Sequence, residues 1–435
     1  MPILAGVEMW KINKIKRIFS DSLYQNSIYL MLTYIFGTGS GFFFWIIAAK
    51  LYSSDQIGLA VAIISCMSFI SMFSRFGFDV GIIRYLPNTY DKNQMINSCL
   101  TITSVVSVLF CILFLAGLNI LSPKLIFLRD NISYMILFIL FTVATSISFI
   151  QSSVFIALKR SKYSLIQILF ATPRIIILPL IIMYGLFGMY LAYGIGILAA
   201  SIIGINSISK IHKTYKFKPS FKKDILKEIF NYSFKNYVSM IFEGIPTYIL
   251  PLLIVNILGT QQNAYFYIAW CFSSLIQAIP QSTATSLLAE GSNKDSTRKD
   301  SIAAIKFIYS LLFPVIVVVF LFGKYILLIF GGEYSENSFN LLKILSVASI
   351  PFTLNIIYIS IKRIERHIEP VIYMYSFLGI FSIVFSILLV KWLGLNGIGV
   401  SWLLVNSILA IIVRKDIFQF LGLTRQTYMD IQNHA

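Results

Sequence analysis

The sequence predicts an all-α polytopic membrane protein with twelve transmembrane helices, arranged as two six-helix bundles related by a pseudo-two-fold along the membrane normal. Three observations predict it. Apolar stretches long enough to cross a bilayer fill almost all of the 435 residues, with 57% hydrophobic and 12% charged residues and a mean hydropathy of +0.81. Soluble domains are nearer half apolar and a quarter charged. The basic residues are dense in alternate loops, and landmarks in the two halves repeat.

A helix needs about 20 apolar residues to cross ~30 Å of hydrocarbon. On that measure span 1 covers 27–49, span 2 57–84, span 3 96–121 and span 4 132–157. Span 5 covers 164–184 and span 6 187–208. Spans 7, 8 and 9 cover 229–257, 263–288 and 302–323. Spans 10, 11 and 12 cover 338–361, 368–391 and 396–413. The runs are too long and too unbroken for strands, and lipid-exposed backbone must close on itself as helix or barrel. The expected domains are a lead-in 1–26, a first bundle 27–208, a basic linker 209–228, a second bundle 229–413 and a tail 414–435. The lead-in has no apolar core before a small-residue cleavage site, so it reads as cytoplasmic and not as a signal peptide. Trp10, Ile12, Ile15, Ile18 and Phe19 fit one face of a helix lying on the membrane, with a disordered lead-in as the alternative.

Orientation follows from Lys and Arg in the loops. Counting both termini and every second loop, one side carries 26 of the 35 basic residues and the other side five. The rich side includes Arg84, Lys159, Arg160, Lys362, Arg363 and the linker lysines from Lys210 to Lys227; the poor side has Lys50, Lys124, Arg129, Lys324 and Lys391. Both termini are therefore expected in the cytoplasm. The net charge of +17 is mostly this topology. It points to anionic lipid headgroups and not to nucleic acid.

Cysteine and histidine exclude much chemistry. Cys66, Cys99, Cys111 and Cys271 lie inside spans, where cysteine acts as a small hydrophobe. His212, His367 and His434 have no metal-ligand spacing. There is no Walker A, HExxH or GxSxG sequence. The loops are too short for a catalytic domain. No enzyme activity and no bound cofactor are expected.

The halves repeat weakly. Leu158-Lys159-Arg160 closes span 4, and Ile361-Lys362-Arg363 closes span 10. Gly185-Leu186-Phe187-Gly188 with Ala192-Tyr193 opens span 6; Gly394-Leu395-Asn396-Gly397 with Ser401-Trp402 opens span 12. Six spans per half keep both halves in one orientation, a repeat type that transporters use, with substrate near the midplane.

Charges inside spans are costly and usually face a cavity, so they point to function. Arg75 and Asp79 are four apart and share a helix face, either as a structural ion pair or as part of a substrate surface. Arg174 falls mid-span with no local partner, which points to a water-filled position. Glu243 is deep in span 7, and is either a proton or cation site or the partner of Arg174. Lys235 and Lys343 lie near span ends and can snorkel to the headgroups. Pro173 and Pro179 flank Arg174, and Pro246 and Pro251 follow Glu243. Proline kinks helices and frees carbonyls, which membrane depth tolerates at a cavity. Gly37-Thr38-Gly39-Ser40-Gly41 in span 1 allows close helix approach or local unwinding.

Residues 51–87 carry a family resemblance. The run from Leu51-Tyr52-Ser53-Ser54-Asp55-Gln56-Ile57-Gly58 through Arg75-Phe76-Gly77-Phe78-Asp79 to Arg84-Tyr85-Leu86-Pro87 resembles the start of polysaccharide or O-antigen flippases. These belong to the MOP (multidrug/oligosaccharidyl-lipid/polysaccharide) exporter superfamily, and the layout of the whole chain is similar. The resemblance implies a V-shaped, MATE-like pair of bundles. It implies alternating-access transfer of a polyprenyl-pyrophosphate-linked oligosaccharide, an O-antigen or exopolysaccharide repeat unit, to the outer face of a bacterial inner membrane. Basic residues would hold the anionic head: Arg75 and Arg174 first, then Arg84 and Lys235, with Asp79 beside them. Glu243 and Asp79 are the carboxylates available for coupling to H+ or Na+. Implied partners are the lipid-linked oligosaccharide, membrane lipids and polysaccharide polymerase machinery. Arginine suits phosphate because its fork binds two oxygens. Two other readings stay open. One is a cation-coupled multidrug antiporter of the same fold, which would favour acidic residues in the cavity. The other is a non-transporting membrane partner of a polysaccharide synthase.

Overall fold

A computed structural model describes residues 22–290 and 294–420, and every regular element in them is helical. The expected surface helix of the lead-in and the residues after 420 lie outside the described residues. The helices are α1 (Ser22–Leu51), α2 (Ser54–Ser74), α3 (Phe78–Tyr85), α4 (Lys92–Ala116), α5 (Ile132–Ala157), α6 (Lys162–Ala171) and α7 (Arg174–Leu180). They continue as α8 (Gly185–Ile211), α9 (Lys223–Ile257), α10 (Thr260–Glu290), α11 (Lys294–Leu327), α12 (Gly332–Ile364), α13 (Ile368–Leu393) and α14 (Leu395–Phe420). Short helical turns join some of them.

Two expected spans are interrupted. Span 2 divides into α2 and α3 because Phe76 and Gly77 take positive φ, 48° and 75°. Glycine accepts that conformation freely, whereas for phenylalanine it is uncommon. Span 5 divides into α6 and α7 at Thr172–Pro173, where proline has no N–H to continue the ladder. In contrast, α1 runs unbroken through Gly37–Gly41, and α9 runs unbroken through Pro246 and Pro251. The glycine run in α1 serves approach: a Cβ on Gly37 would meet Ile168 of α6 at an ordinary 3.5 Å.

Among the described residues eleven segments are long and apolar enough to cross a membrane, where twelve are expected. The missing one is span 8. Its helix α10 is present and 31 residues long, about 46 Å at 1.5 Å per residue. Gln261, Gln262, Asn263, Gln277 and Gln281 with a run of Ser and Thr lower its hydropathy. The last helix also continues to Phe420, past the expected end at 413.

The described residues form two compact units: those of Met1–Leu51 with Ile70–Phe234, and those of Tyr52–Phe69 with Lys235–Ala435. The division differs from a cut through the basic linker, and local packing gives the reason. The linker is strapped to α4. Asn93 and Asn97 donate to the carbonyls of Thr214 and Lys216 at 2.9 Å each, and Tyr215 donates to Asn97 Oδ1 at 2.9 Å. The first turns of α9 then pack on α3. Ile229 fills the space beside Gly81, and Phe230 meets Phe76 edge-on with centroids 6.1 Å apart. At its other end α2 joins the second unit. Asn263 donates to the Gly58 carbonyl at 2.7 Å, and a Cβ on Gly58 would lie 1.7 Å from the Thr260 carbonyl oxygen.

Inside the first unit α5 packs on α3, α4 and α8, while α1 packs on α6 and α7. In the second, α12 packs on α10, α11 and α14. Lipid tails are as apolar as leucine, so membrane helices associate through close packing and buried hydrogen bonds. Both devices are present. Gly194 of α8 faces the ring of Phe141, with the Cβ position only 1.9 Å from Cε2. Ser107 donates to Ser74 or Ser146 at 2.7 and 2.8 Å, tying α2, α4 and α5 through three buried hydroxyls.

The sequence repeat has a structural counterpart inside each unit. Gly185 has φ 54° and ψ −132°; Gly394 has φ 56° and ψ −137°. A Cβ on Gly188 would lie 2.3 Å from the Ile181 oxygen, and one on Gly397 would lie 2.6 Å from the Leu389 oxygen. Gln151 of α5 donates to the Ser201 carbonyl of α8 at 2.9 Å, as Asn355 of α12 donates to the Asn406 carbonyl of α14 at 3.0 Å.

Candidate functional site

Arg75 and Asp79 flank the break between α2 and α3, and the structure brings them together. Arg75 Nη1 donates to Asp79 Oδ2 at 2.7 Å, and Nε donates to the Ser71 carbonyl at 3.2 Å. The guanidinium lies over the Phe149 ring at 4.2 Å, and both residues are buried at 7% exposure. The other carboxylate oxygen, Oδ1, accepts the Val80 N–H at 3.0 Å.

Arg174 is different. It is the first residue of α7, directly after the proline break, and it is 8% exposed. Among the described residues no carboxylate forms a salt bridge with it. Its Nε is buried without a hydrogen-bond partner, and Nη2 makes one long contact with Ser40 Oγ, 3.5 Å. The guanidinium stands 5.0 Å from the Tyr193 ring centre and 5.6 Å from that of Phe44. Small residues make room for it: a Cβ on Gly196 would come within 3.1 Å of Arg174 Cβ, and one on Gly41 would reach Nη2 at 4.0 Å. The aromatic rings hold the cation through their faces. Most of its five N–H donors remain for an acceptor.

Glu243 lies on α9 in the second unit, in the electrostatic neighbourhood of Arg363 of α12 and Tyr375 of α13; Arg363 is 5.9 Å from the Tyr375 ring centre. The Glu243 side chain is surface-accessible. Lys235 forms an exposed ion pair with Glu369, where solvent screens the attraction. Arg84 is exposed, 5.3 Å from the Tyr232 ring centre. Within the first unit Arg84 and Arg174 have surroundings of their own, apart from the Arg75–Asp79 pair; Lys235 and Glu243 belong to the second unit. No group of His, Cys, Asp and Glu suited to a metal occurs among the described residues.

The structure adds a feature that sequence reasoning passed over. Ser274, Gln281 and Thr285 fall on one exposed face of α10, with Ser282 beside them. Polar faces on membrane-crossing helices turn to bundle interiors or watery cavities. The low hydropathy of span 8 was the available signal.

This fold defines a class. It is the fold of MATE-type transporters of the MOP superfamily. An inward-facing multidrug resistance MATE family transporter matches with a TM-score of 0.62 at 16% identity, over 91% of this chain and 95% of its own. An outward-facing form matches with a TM-score of 0.61 at 15% identity, over 93% and 97%. At these identities the likeness is one of fold. The chain itself belongs to the polysaccharide biosynthesis protein family, whose model matches residues 23–288. With eleven segments among its described residues long and apolar enough to cross a membrane, it is a multi-pass membrane protein of that family, and its fold is the one MATE-type transporters share. An uncharacterized membrane protein of Methanocaldococcus jannaschii is 25% identical over 243 residues, 54% of this chain. The chain matches about half of that relative's length, 55%.

Proposed function

We propose that this transporter carries a polyprenyl-pyrophosphate-linked oligosaccharide from the cytoplasmic to the outer face of a bacterial inner membrane by alternating access, with Arg174 holding the phosphate. The observation that carries the reading is a buried guanidinium with an orphan Nε and no acidic partner. A charge at the centre of a bilayer helix costs at least ~2.5–3.5 kcal/mol on insertion scales, so it is retained for a purpose. A pyrophosphate supplies the missing negative charge and the acceptors for the open donors. The polar face of α10 offers hydroxyls and an amide of the kind sugars bind. Family membership supports a saccharide cargo. The 26-to-5 loop charge split supports cytoplasmic termini.

Glu243 is the coupling carboxylate in this reading. It is accessible and lies within α9, in the same unit as Arg363 and Tyr375. Contacts with polysaccharide polymerase machinery on the outer face would pass the cargo on.

The test is transport of a fluorescent lipid-linked oligosaccharide into vesicles holding the purified chain. Arg174→Ala is expected to abolish transport with protein levels intact, and Arg174→Lys to restore part of it, since lysine keeps the charge without the fork. Normal transport by Arg174→Ala overturns the assignment. Under an imposed proton or sodium gradient, Glu243→Gln is expected to bind cargo but lose its response to the gradient.

A further inference from the structure

A second feature lies in the α11–α12–α14 part of the molecule, away from every residue assigned above. A cleft of about 430 Å³ opens there, within the ~300–1,000 Å³ usual for small-molecule sites. Its lining is graded along the membrane normal. On α12, Asn340 and Lys343 come first and Val347 lies one turn further in. On α14, Asn396 stands at the helix start and Leu403 two turns deeper. α11 runs the opposite way, ending at Leu327 in the same face, and contributes Phe320 one turn deeper than Lys324. Along α12 and α14 the polar lining residues precede Val347 and Leu403, with Asn340 and Lys343 already about two to three turns into α12.

Two lysines border one ring. Lys343 Nζ lies 4.5 Å from the Phe339 ring centre, and Lys324 Nζ lies 5.8 Å from the same ring centre. Neither has a salt-bridge partner among the described residues. Two cations beside one ring at the rim of the cleft thus lack a neutralising carboxylate. The flank is also lipid-facing, because only 17% of the apolar window of α11 is buried.

We propose that this cleft binds an anionic phospholipid of the leaflet beside Leu327 and Gly332. Lys324 and Lys343 hold the headgroup phosphate, Asn340 and Asn396 donate to the glycerol ester oxygens, and one acyl chain lies along Phe320, Val347 and Leu403. Charge complementarity selects the headgroup, and the polarity gradient matches a lipid standing upright in its own leaflet. The phosphate takes the place of the missing carboxylate between the two cations.

Native mass spectrometry of the full chain, titrated with phosphatidylglycerol or phosphatidylcholine, tests this. Wild type is expected to retain phosphatidylglycerol in preference to phosphatidylcholine. Lys324→Ala with Lys343→Ala should weaken phosphatidylglycerol retention on the order of tenfold, to the phosphatidylcholine level. The matching double arginine variant should keep it. Val347→Trp, which fills the cleft, should lower retention of both lipids. The Arg174→Ala variant should retain phosphatidylglycerol normally, which separates this site from the cargo site. An undiminished headgroup preference in the double alanine variant overturns the proposal. So does displacement of phosphatidylglycerol by equimolar polyprenyl pyrophosphate, which would make the cleft a cargo site.

Discussion

Removing Asp79 should destabilise the protein far more than removing both members of its pair. In wild type the Arg75 guanidinium has the Asp79 carboxylate at 2.7 Å, the Ser71 carbonyl at 3.2 Å and the Phe149 ring at 4.2 Å. Asp79→Leu leaves a carbonyl and a ring against a full buried charge. Breaking a buried pair from one side typically costs about 3–5 kcal/mol. Arg75→Met should cost less. The stranded carboxylate keeps the Val80 N–H at 3.0 Å. The double variant Arg75→Met, Asp79→Leu removes both charges and refills the space with apolar atoms of similar bulk. Such replacements are often neutral or stabilising by ~1–4 kcal/mol. The expected order of stability is the double variant near wild type, then Arg75→Met, then Asp79→Leu. Unfolding of the purified chain in mild detergent gives the order directly, and the vesicle assay gives function beside it. The argument fails if Asp79→Leu unfolds like wild type. It fails equally if the double variant is stable but transports nothing, since the pair would then be cargo machinery.

Four further outcomes are expected. Gly185→Ala and Gly394→Ala should each cost about 1–3 kcal/mol, because both hold a backbone conformation essentially reserved for glycine; unequal losses would show that the repeat is one of letters only. Gly194→Val should cost about 1–3 kcal/mol by forcing atoms into the Phe141 ring, and adding Phe141→Leu should recover part of it. Reporter fusions after Asn119 and Lys213 should read outside and inside; the reverse pair of signals inverts the topology. Tyr215→Phe should cost about 1 kcal/mol by removing the phenol that ties the basic linker to Asn97. Burial pushes that phenol up to about 12, so the folded state favours its neutral form. The wild-type contribution should be complete below pH ~10, the unfolded value, and fade as pH rises through about 12. A linker that loosens between pH 7 and 9, seen by hydrogen exchange, would contradict this.

Composition and loop charge made the polytopic fold legible, because a bilayer allows few alternatives. The repeat was legible at Gly185 and Gly394, where unusual backbone demands glycine. Other features were hidden for physical reasons. The break at Phe76–Gly77 depends on a phenylalanine at positive φ, which no propensity suggests. Pro173 broke its helix, but Pro246 and Pro251 did not break α9, so tertiary packing decides what a proline does. Compact units cannot be cut from hydropathy, since the straps from Asn93 and Asn97 to the linker are single polar contacts in polar sequence. The Glu243 environment depends on Arg363 and Tyr375, more than a hundred positions away in the chain.

The two deep arginines show what local sequence does decide. Both stand at helix interruptions, where the backbone is already irregular. Arg75 has an acid one turn ahead, and a turn of helix is enough to bring the two within hydrogen-bonding distance. Its charge is cancelled by its own chain. Arg174 has Phe170 and Ala171 one turn behind and Ile177 and Leu178 one turn ahead, none of whose side chains carries a compensating charge. Proline at 173 fixes the break that turns it inward, and aromatic faces from α1 and α8 hold it without using its N–H edges. The same residue type at two similar breaks is therefore paired by its own helix in one case and left with open donors in the other, and the difference is set by the residue four positions on.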